Sequence, residues 1–549
     1  MSWETVAKEA QARVLDSIPS RWHLNAEKYK SFKDVTSIPA TCGILSDLQL
    51  EITGSTVVEI RKRLESREWK AVQVLESFAA RAAIAHQLVN CLTDWFYEDA
   101  IAQAKELDEL LDSGRQLKGP LHGVPIALKD SHEVQGHAVT MGYVSRLNNV
   151  AKQDSALVGT LRAAGAVFFC KTTMPQSGMA LETVSNLWGR TMNPFNRDLS
   201  AGGSSGGDAV LVALRGSPVT ASTDMGGSIR VPAAFNGLYG IRPTSDRIPK
   251  GGMVNTNTGN VTIKLSCGPI CRSLDDLELF TSIINAHPRN KHDPTSVPVP
   301  WRELSRDGPN RKLTIGIMKW DGVVMPHPPV LRALEHTRKV LENAGHEVVD
   351  FSSPFDCWDA KQTTFDIYYQ SGCGGTMSTL AAGGEPTIPA FADLLKVFNV
   401  REQSAAEALK LNLKTRALKE QFLKAWNDTA HQATSGRCID ALITAPAPAV
   451  GYPHDFNVYW GYTSLFNLID YPSVILPISN FKVNAQLDPV DIGYQPLETN
   501  PYDKPNHDLY NPELFANQPS TVQVVGRPFE DEEAIQVASV LDTLFKITT

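Results

Sequence analysis

The segment from Ala201 to Pro232, AGGSSGGDAVLVALRGSPVTASTDMGGSIRVP, decides how the fold is interpreted. Glycine supplies nine of the 45 residues from Ala201 to Ser245, but only 38 of the 549 residues of the chain. A flexible linker has such a composition. The apolar run at Ala209–Leu214 instead predicts a helix, and Pro218–Thr223 predicts a strand. Two glycine-rich loops therefore flank a helix and a strand, which is typical of an α/β fold.

The sequence before this segment alternates between strand and helix patterns. Val124–Leu128 is an apolar run that predicts a buried strand carrying Lys129 and Asp130 at its tip. The apolar spacing from Ser155 to Gly165 predicts a helix, and Ala166–Cys170 predicts the next strand. This alternation predicts a sheet whose strands are joined by helical crossovers.

Composition excludes several classes of protein. The chain has 52 basic and 60 acidic residues, so its net charge is −8, which argues against nucleic-acid binding. No apolar run reaches the ~20 residues of a membrane-spanning helix, so we expect no membrane anchor. The eight cysteines form no Cys-x-x-Cys pair, and the start Met1–Glu4 does not resemble a signal peptide. These features favour a cytoplasmic enzyme with reduced thiols.

Common cofactor motifs are missing from the sequence. It contains no phosphate-binding Gly-x-x-x-x-Gly-Lys-Ser/Thr, no Gly-x-Gly-x-x-Gly after a strand and no His-Glu-x-x-His. We therefore expect neither a metal nor an organic cofactor. Ser204 lies in a formal Gly-x-Ser-x-Gly, but Asp198–Gly202 before it is not the apolar strand that an α/β-hydrolase nucleophile requires.

Three polar residues form a better candidate site. Lys129 ends a predicted strand, Ser204 lies in Gly-Gly-Ser-Ser-Gly-Gly, and Ser228 follows two glycines. Glycines let successive N–H groups converge on one point, as an oxyanion hole requires. Burial could bring the lysine pKa from about 10.4 to the range of a base, with Ser204 passing the proton between Ser228 and Lys129. Taken singly, Lys129 is better explained by an ion pair with Asp130, and the two serines by turns.

Together these motifs resemble the amidase signature family, and within it the fungal acetamidases. The resemblance covers about residues 70–535 and rests on the separations of 75 residues from Lys129 to Ser204 and 24 from Ser204 to Ser228. It implies that Ser228 is the acyl-forming nucleophile, that Lys129 is the base, and that Ser204 is the relay after a cis peptide bond. It also implies a set of substrate-binding residues, with oxyanion N–H groups and acyl-cavity positions among them: Gly178, Met179, Ser204, Met225, Gly226, Gly227 and Ser228.

The same resemblance sets the expected architecture. It implies one large α/β domain, residues 71–549, with a mixed twisted central sheet covered by helices on both faces. Residues 1–70 are expected to form a helical N-terminal extension, and helical patterns continue to about residue 115. The segment 484–516 lacks periodicity and is expected to be a surface insertion or flap. Asp224 and Arg230 are interpreted as charges that hold the loop around Ser228.

The expected activity is hydrolysis of a small aliphatic amide, with no partner other than this small-molecule substrate and a homodimer as one arrangement known in the family. Three alternatives remain open. The enzyme could hydrolyse a larger fatty-acyl or natural-product amide, or it could be a biosynthetic acyl transferase. A non-catalytic binding scaffold is the third, although it would predict the loss of a triad residue.

Overall fold

A computed structural model describes residues 1–256, 259–286, 293–398 and 400–548. In chain order its strands, β1 to β13, are Leu92–Trp95, Pro125–Lys129, Val167–Thr172, Val184–Ser185, Gly189–Arg190, Val219–Asp224, Tyr239–Arg242, Ser266–Cys271, Thr314–Met318, Glu347–Asp350, Ala441–Thr444, Ser473–Lys482 and Pro519–Val525. The α-helices, α1 to α19, are Trp3–Ser17, Ala26–Tyr29, Ile38–Thr41, Asp47–Gly54, Val57–Glu65, Ala71–Val89, Tyr97–Asp112, Ala156–Ala163, Gly206–Ala213, Arg230–Phe235, Leu274–Ala286, Pro328–Asn343, Cys357–Tyr368, Gly374–Gly383, Pro389–Val397, Ala405–Asp428, Gly461–Ile469, Asp503–Leu509 and Asp531–Thr548.

One mixed sheet of eleven strands organises the molecule. Its strand order is β1-β3-β2-β6-β8-β7-β12-β13-β11-β9-β10, and β4 pairs only with β5. Strands β3, β2 and β6 run parallel, as do β11, β9 and β10, while the strands between these groups pair antiparallel. The α/β class and the mixed central sheet that the sequence predicted are confirmed.

The segment that opened the sequence analysis folds as its pattern predicts. Helix α9 begins at Gly206, strand β6 begins at Val219, and the six-residue helix α10 carries Pro232 in its first turn. The prediction of helices alone up to residue 115 was wrong at one point. Leu92–Trp95 forms β1, an edge strand antiparallel to β3, because backbone pairing outweighs the weak strand character of this short segment.

Helices α1 to α5 pack against the rest of the described chain and share its core. Apolar side chains from Ala7 to Phe545 form one continuous buried cluster. Polar contacts join the same parts, since the Arg272 guanidinium donates to the carbonyl oxygens of Thr53, Gly54 and Ser55. The N-terminal helices are therefore held by both apolar packing and hydrogen bonds.

The aperiodic segment 484–516 is ordered by buried carboxylates and contains the short helix α18. Asp488 pairs with Arg332, and Asp503 accepts hydrogen bonds from the N–H groups of Met325 and Leu497. Buried side chains that bond to distant backbone explain why a stretch without periodicity has a defined structure.

Candidate active site

The site lies at the carboxyl ends of the neighbouring parallel strands β2 and β6. Lys129 is the last residue of β2, and Asp224 is the last residue of β6. In open α/β sheets, ligands bind outside the carboxyl ends of strands. The loop before α9 brings Ser204 to this edge, and the loop between β6 and α10 brings Ser228.

Lys129 is fully buried among neutral oxygen atoms. Its Nζ donates to the Oγ of Ser204 at 2.7 Å, the Oγ of Ser205 at 2.8 Å and the Oγ1 of Thr223 at 3.0 Å. Burial lowers the pKa of Lys129 to about 8, although the more distant charges of Asp208 and Asp224 raise it in part. Within the described ranges, no carboxylate lies within ion-pair distance of Nζ. The alternative ion pair with Asp130 is not formed, since Asp130 pairs with Lys171 at 3.3 Å.

Ser204 follows a cis peptide bond from Gly203, as the resemblance implied. The loop passes through a narrow space between two other backbone segments. A Cβ atom at Gly203 would lie 2.6 Å from the carbonyl oxygen of Ala180, so a side chain at this position is excluded. The next residue ties the two serine loops together, because the Ser205 N–H donates to the Ser228 carbonyl at 3.1 Å.

Asp224 and Arg230 hold the loop around Ser228. The Asp224 carboxylate accepts the N–H groups of Gly227 at 2.9 Å and Ile229 at 3.0 Å, and it pairs with the Arg230 guanidinium at 2.9 Å. Burial alone would raise the pKa of Asp224, but the Arg230 charge and these hydrogen bonds hold that pKa well below its usual range. Arg230 also bonds to Asn467 of α17 and Gln523 of β13. The interpretation of both residues as structural charges agrees with these contacts.

The hydrogen bonds of this loop decide which N–H groups remain available. The peptide between Gly226 and Gly227 is bonded at both ends, since its carbonyl accepts from Thr463 and its N–H donates to Asp224. The Gly227 N–H is therefore already engaged by the Asp224 carboxylate. In the described part of the chain, no acceptor engages the N–H groups of Gly226 and Ser228. With the Met225 N–H, which also has no acceptor among the described residues, these two are the remaining candidates for an oxyanion hole.

A small cavity of about 30 Å³ opens onto both serines. Its walls include six of the seven predicted substrate-binding residues, namely Gly178, Met179, Ser204, Met225, Gly226 and Ser228; Gly227 is absent from them. Gly178 has a positive φ of 77°, and a Cβ there would lie 2.9 Å from the Cε of Met174. Met174 and Met141 also line the cavity, and both belong to a separate apolar cluster. The apolar end of the cavity is therefore closed by methionine side chains.

Several residues of the site were not singled out by the sequence. Ser205 and Thr223, like Ser204, accept hydrogen bonds from Lys129 Nζ. For Ser205, the sequence signal was its place in the pattern Gly-Gly-Ser-Ser-Gly-Gly. Asp208 accepts from Thr172 and Ser222, and burial raises its pKa to about 6. Ser131 lines the cavity with a buried hydroxyl that has no hydrogen-bond partner among the described residues. Trp460 also lines the cavity.

No helix in the described residues is both long and apolar enough to cross a membrane.

The chain matches known proteins over almost all of its length. A family model described as Amidase matches residues 73–535. The sequence is 69% identical over 547 residues to an amidase of Gibberella zeae, with 100% of both chains covered. It is 38% identical over 548 residues to the acetamidase of Emericella nidulans, covering 99% of this chain and 98% of that one. A solved fatty acid amide hydrolase superposes with a TM-score of 0.92 at 29% identity, covering 98% of this chain and 95% of that chain. With the fold and these relatives in agreement, the chain belongs to the amidase signature family and is a hydrolase of amide bonds.

Proposed function

We propose that the enzyme hydrolyses small aliphatic amides through an acyl-enzyme on Ser228, with Ser204 as proton relay and Lys129 as base. The observation that carries this proposal is the buried contact of 2.7 Å between Lys129 Nζ and Ser204 Oγ. A buried lysine without a carboxylate partner can exist as a neutral amine near pH 8, which is what a general base must be.

In the first half-reaction, neutral Lys129 takes the proton of Ser204, and Ser204 takes the proton of Ser228. The Ser228 Oγ then forms a bond to the amide carbon, and the carbonyl electron pair moves onto oxygen. When the C–N bond breaks, the proton returns through Ser204 to the leaving nitrogen. In the second half, water replaces the amine, the relay deprotonates it, and the acid leaves with Ser228 reprotonated.

The tetrahedral oxyanion is stabilised by the N–H groups of Gly226 and Ser228. Fixed donors aimed at the developing charge give the largest single contribution in many acyl-transfer enzymes. Asp224 accepts the Gly227 N–H, Thr463 donates to the Gly226 carbonyl, and Arg230 donates to the Thr463 carbonyl. These bonds hold the loop before substrate arrives, so little reorganisation is needed during the reaction.

The cavity supports a small acyl group. Its volume of about 30 Å³ is small, since a single water needs roughly 10–15 Å³ by the same kind of measure. A fatty-acyl chain would have to displace Met174 and Met179. The name of the Emericella nidulans relative, an acetamidase, agrees with this substrate class. We also propose that the enzyme is cytoplasmic.

The nucleophile is tested by labelling the protein with a fluorophosphonate and locating the adduct by mass spectrometry. We expect one adduct on Ser228, and we expect Ser228→Ala to lose both the adduct and at least about 10³-fold in kcat. Ser145→Ala, at an exposed serine that does not line the cavity, is the matched control and should keep both. An adduct on Ser204 would exchange the roles of the two serines, and full turnover by Ser228→Ala would refute the mechanism.

Substrate size is tested with straight-chain primary amides from acetamide to octanamide. We expect kcat/KM to fall by about 10-fold or more for each methylene that the cavity cannot accept. Met174→Ala removes the side chain closest to Gly178 and should move the optimum toward longer acyl chains. An optimum at octanamide in the parent enzyme would instead favour the fatty-acyl alternative. A biosynthetic acyl transferase would instead release little free acid in water alone and would need an added amine acceptor for turnover.

A further inference from the structure

Helix α13 carries a tyrosine that contacts the proposed oxyanion loop from behind. Tyr368, the last residue of α13, donates its phenolic O–H to the carbonyl oxygen of Met225. The side chain is fully buried, and burial, with the charge of Asp224, raises the pKa of Tyr368. The phenol therefore stays protonated and able to donate throughout the working pH range.

The hydrogen bond acts on a peptide that has a free N–H. A trans peptide is planar, and its C=O and N–H point in opposite directions. The Met225 carbonyl and the Gly226 N–H belong to the same peptide unit. Fixing the carbonyl on Tyr368 therefore fixes the direction of the Gly226 N–H. A donor on the carbonyl also polarises the amide, which strengthens the N–H as a donor.

We propose that Tyr368 is a positioning residue for amide hydrolysis, and that it orients and polarises the Gly226 N–H toward the oxyanion. This inference rests on the proposed acyl-enzyme mechanism. Adjacent peptide units of the loop are thus fixed by hydrogen bonds to different side chains. Tyr368 fixes the unit from Met225 to Gly226, while Thr463 and Asp224 fix the unit from Gly226 to Gly227.

The helix that carries Tyr368 is anchored in an aromatic environment. Phe365, one turn before Tyr368, stacks on Phe398 at 3.9 Å and packs edge-on against Trp460 at 5.2 Å between ring centroids. Lys361, a further turn back, is buried with its Nζ 3.8 Å from the ring centroid of Tyr502 and 4.5 Å from that of Phe398. Ring contacts of this kind fix the position of a helix without hydrogen bonds to its side chains.

Gly226 is adapted to this arrangement. A Cβ atom at Gly226 would lie 2.9 Å from the Trp460 ring and 3.1 Å from the Tyr368 oxygen. The absence of a side chain therefore lets the phenol and the indole approach the loop closely. The same indole lines the cavity together with both serines.

The test compares Tyr368→Phe with Tyr369→Phe. Tyr369 is the next residue, is equally buried, and its hydroxyl has no hydrogen-bond partner among the described residues, so it is a matched control for removing one oxygen. We expect Tyr368→Phe to lower kcat by about 10- to 100-fold, below the loss of a whole oxyanion donor, with KM within about 2-fold. Tyr369→Phe should change kcat by less than about 2-fold.

The affinity for an aldehyde analogue of the preferred substrate separates positioning of the oxyanion donor from a purely structural role, because a structural role alone would leave this affinity unchanged. The aldehyde forms a tetrahedral adduct with the serine, so Tyr368→Phe should weaken its binding by the same factor as kcat. Thermal unfolding of both variants checks that the fold is retained. Equal kcat in the two variants, a loss confined to KM, or unchanged aldehyde affinity would overturn the role of Tyr368. A parent enzyme without an adduct on Ser228 would instead refute the mechanism on which the role depends.

Discussion

Lys129 and Lys171 lie near the carboxyl ends of the neighbouring strands β2 and β3, and both side chains are fully buried. Lys171 is 3.3 Å from Asp130 and donates to the Ala138 carbonyl, so its charge is compensated. Lys129 faces hydroxyl groups and a carbonyl. A neighbouring carboxylate would stabilise the ammonium, whereas neutral oxygens leave the proton easier to release. The choice of partners thus separates a structural lysine from the proposed base.

The pKa of Lys129 predicts the pH dependence of the reaction. Only the neutral amine can accept the Ser204 proton, so kcat/KM should fall about tenfold per pH unit below about 8 and level off above it. Lys129→Met should lower kcat by about 10²- to 10⁴-fold. Lys171→Met is the control, and a folded variant should keep the same pH midpoint as the parent. A midpoint below pH 6 in the parent would contradict the role of Lys129.

Stability gives a second readout for Lys129→Met. The unfolded chain holds this proton up to about pH 10.5, while the folded chain releases it near 8. The unfolding free energy due to this group therefore rises as pH increases from 8 to 10.5 and is lowest below 8. Removing the amine should not destabilise the protein at pH 7, whereas Lys171→Met should, because it leaves Asp130 buried without its partner.

The local motifs of Ser204 and Ser228 could be found in the sequence because each serine follows a glycine, whereas Lys129 was found as the charged end of an apolar strand. Gly203 has no space for a Cβ, and such a requirement leaves a visible pattern. Tyr368 and Thr463 reach the loop from more than 140 residues away. Their positions depend on helix packing, which no nearby pattern encodes. The bonding of the Gly227 N–H to Asp224 was missed for a related reason, since two glycines in sequence allow several loop conformations.

At the scale of elements, the unit formed by β6, its loop and α10 is stabilised chiefly by Asp224. Helix α10 has only six residues, so its dipole contributes little, and the turn depends on side-chain bonds to its N–H groups. Every strong contact of the carboxylate lies within the loop, on Arg230 or on Asn467 of α17. The loop and helix α17 are therefore expected to unfold together.

Asp224→Asn should both destabilise the fold and slow the reaction. Leaving Arg230 buried without its partner costs about 3–5 kcal/mol. Because the Gly227 N–H loses a charged acceptor, the loop should also position the oxyanion donors less well, and kcat should fall. Urea unfolding and kinetics below the transition measure the two effects. Asp470→Asn removes the partner of another buried arginine, Arg242, and should lose stability with little change in kcat. Equal kinetic losses in both variants would contradict the special role of Asp224.

At the scale of the whole molecule, strand order is the part of the fold that the sequence did not reveal. A length of 549 residues alone suggests three or four domains at roughly 150 residues each. The chain instead builds one sheet in which β12 lies between β7 and β13, and β8 lies between β6 and β7. Such pairings join segments far apart in sequence, and periodicity within a segment contains no information about its partners.

The N-terminal helices illustrate the same limit. Their periodicity predicted helices, and α4 and α5 begin with capping boxes at Ser46 and Thr56. The pattern did not reveal that residues from Ala7 onward join the main core. Trp22, for example, packs edge-on against Trp95 of β1 at 6.2 Å between ring centroids. The edge of the sheet is thereby covered by aromatic side chains, which protects it from pairing with other chains.

The attachment of Arg230 to Asn467 and Gln523 has a consequence for the order of events during synthesis. Lys129, Ser204 and Ser228 leave the ribosome well before α17 and β13 have been made, and contacts between distant segments form late in folding. A nascent chain therefore carries the three residues of the proposed triad while the loop around Ser228 still lacks its contacts with α17 and β13. We therefore expect hydrolytic activity only after β13 has paired with β12.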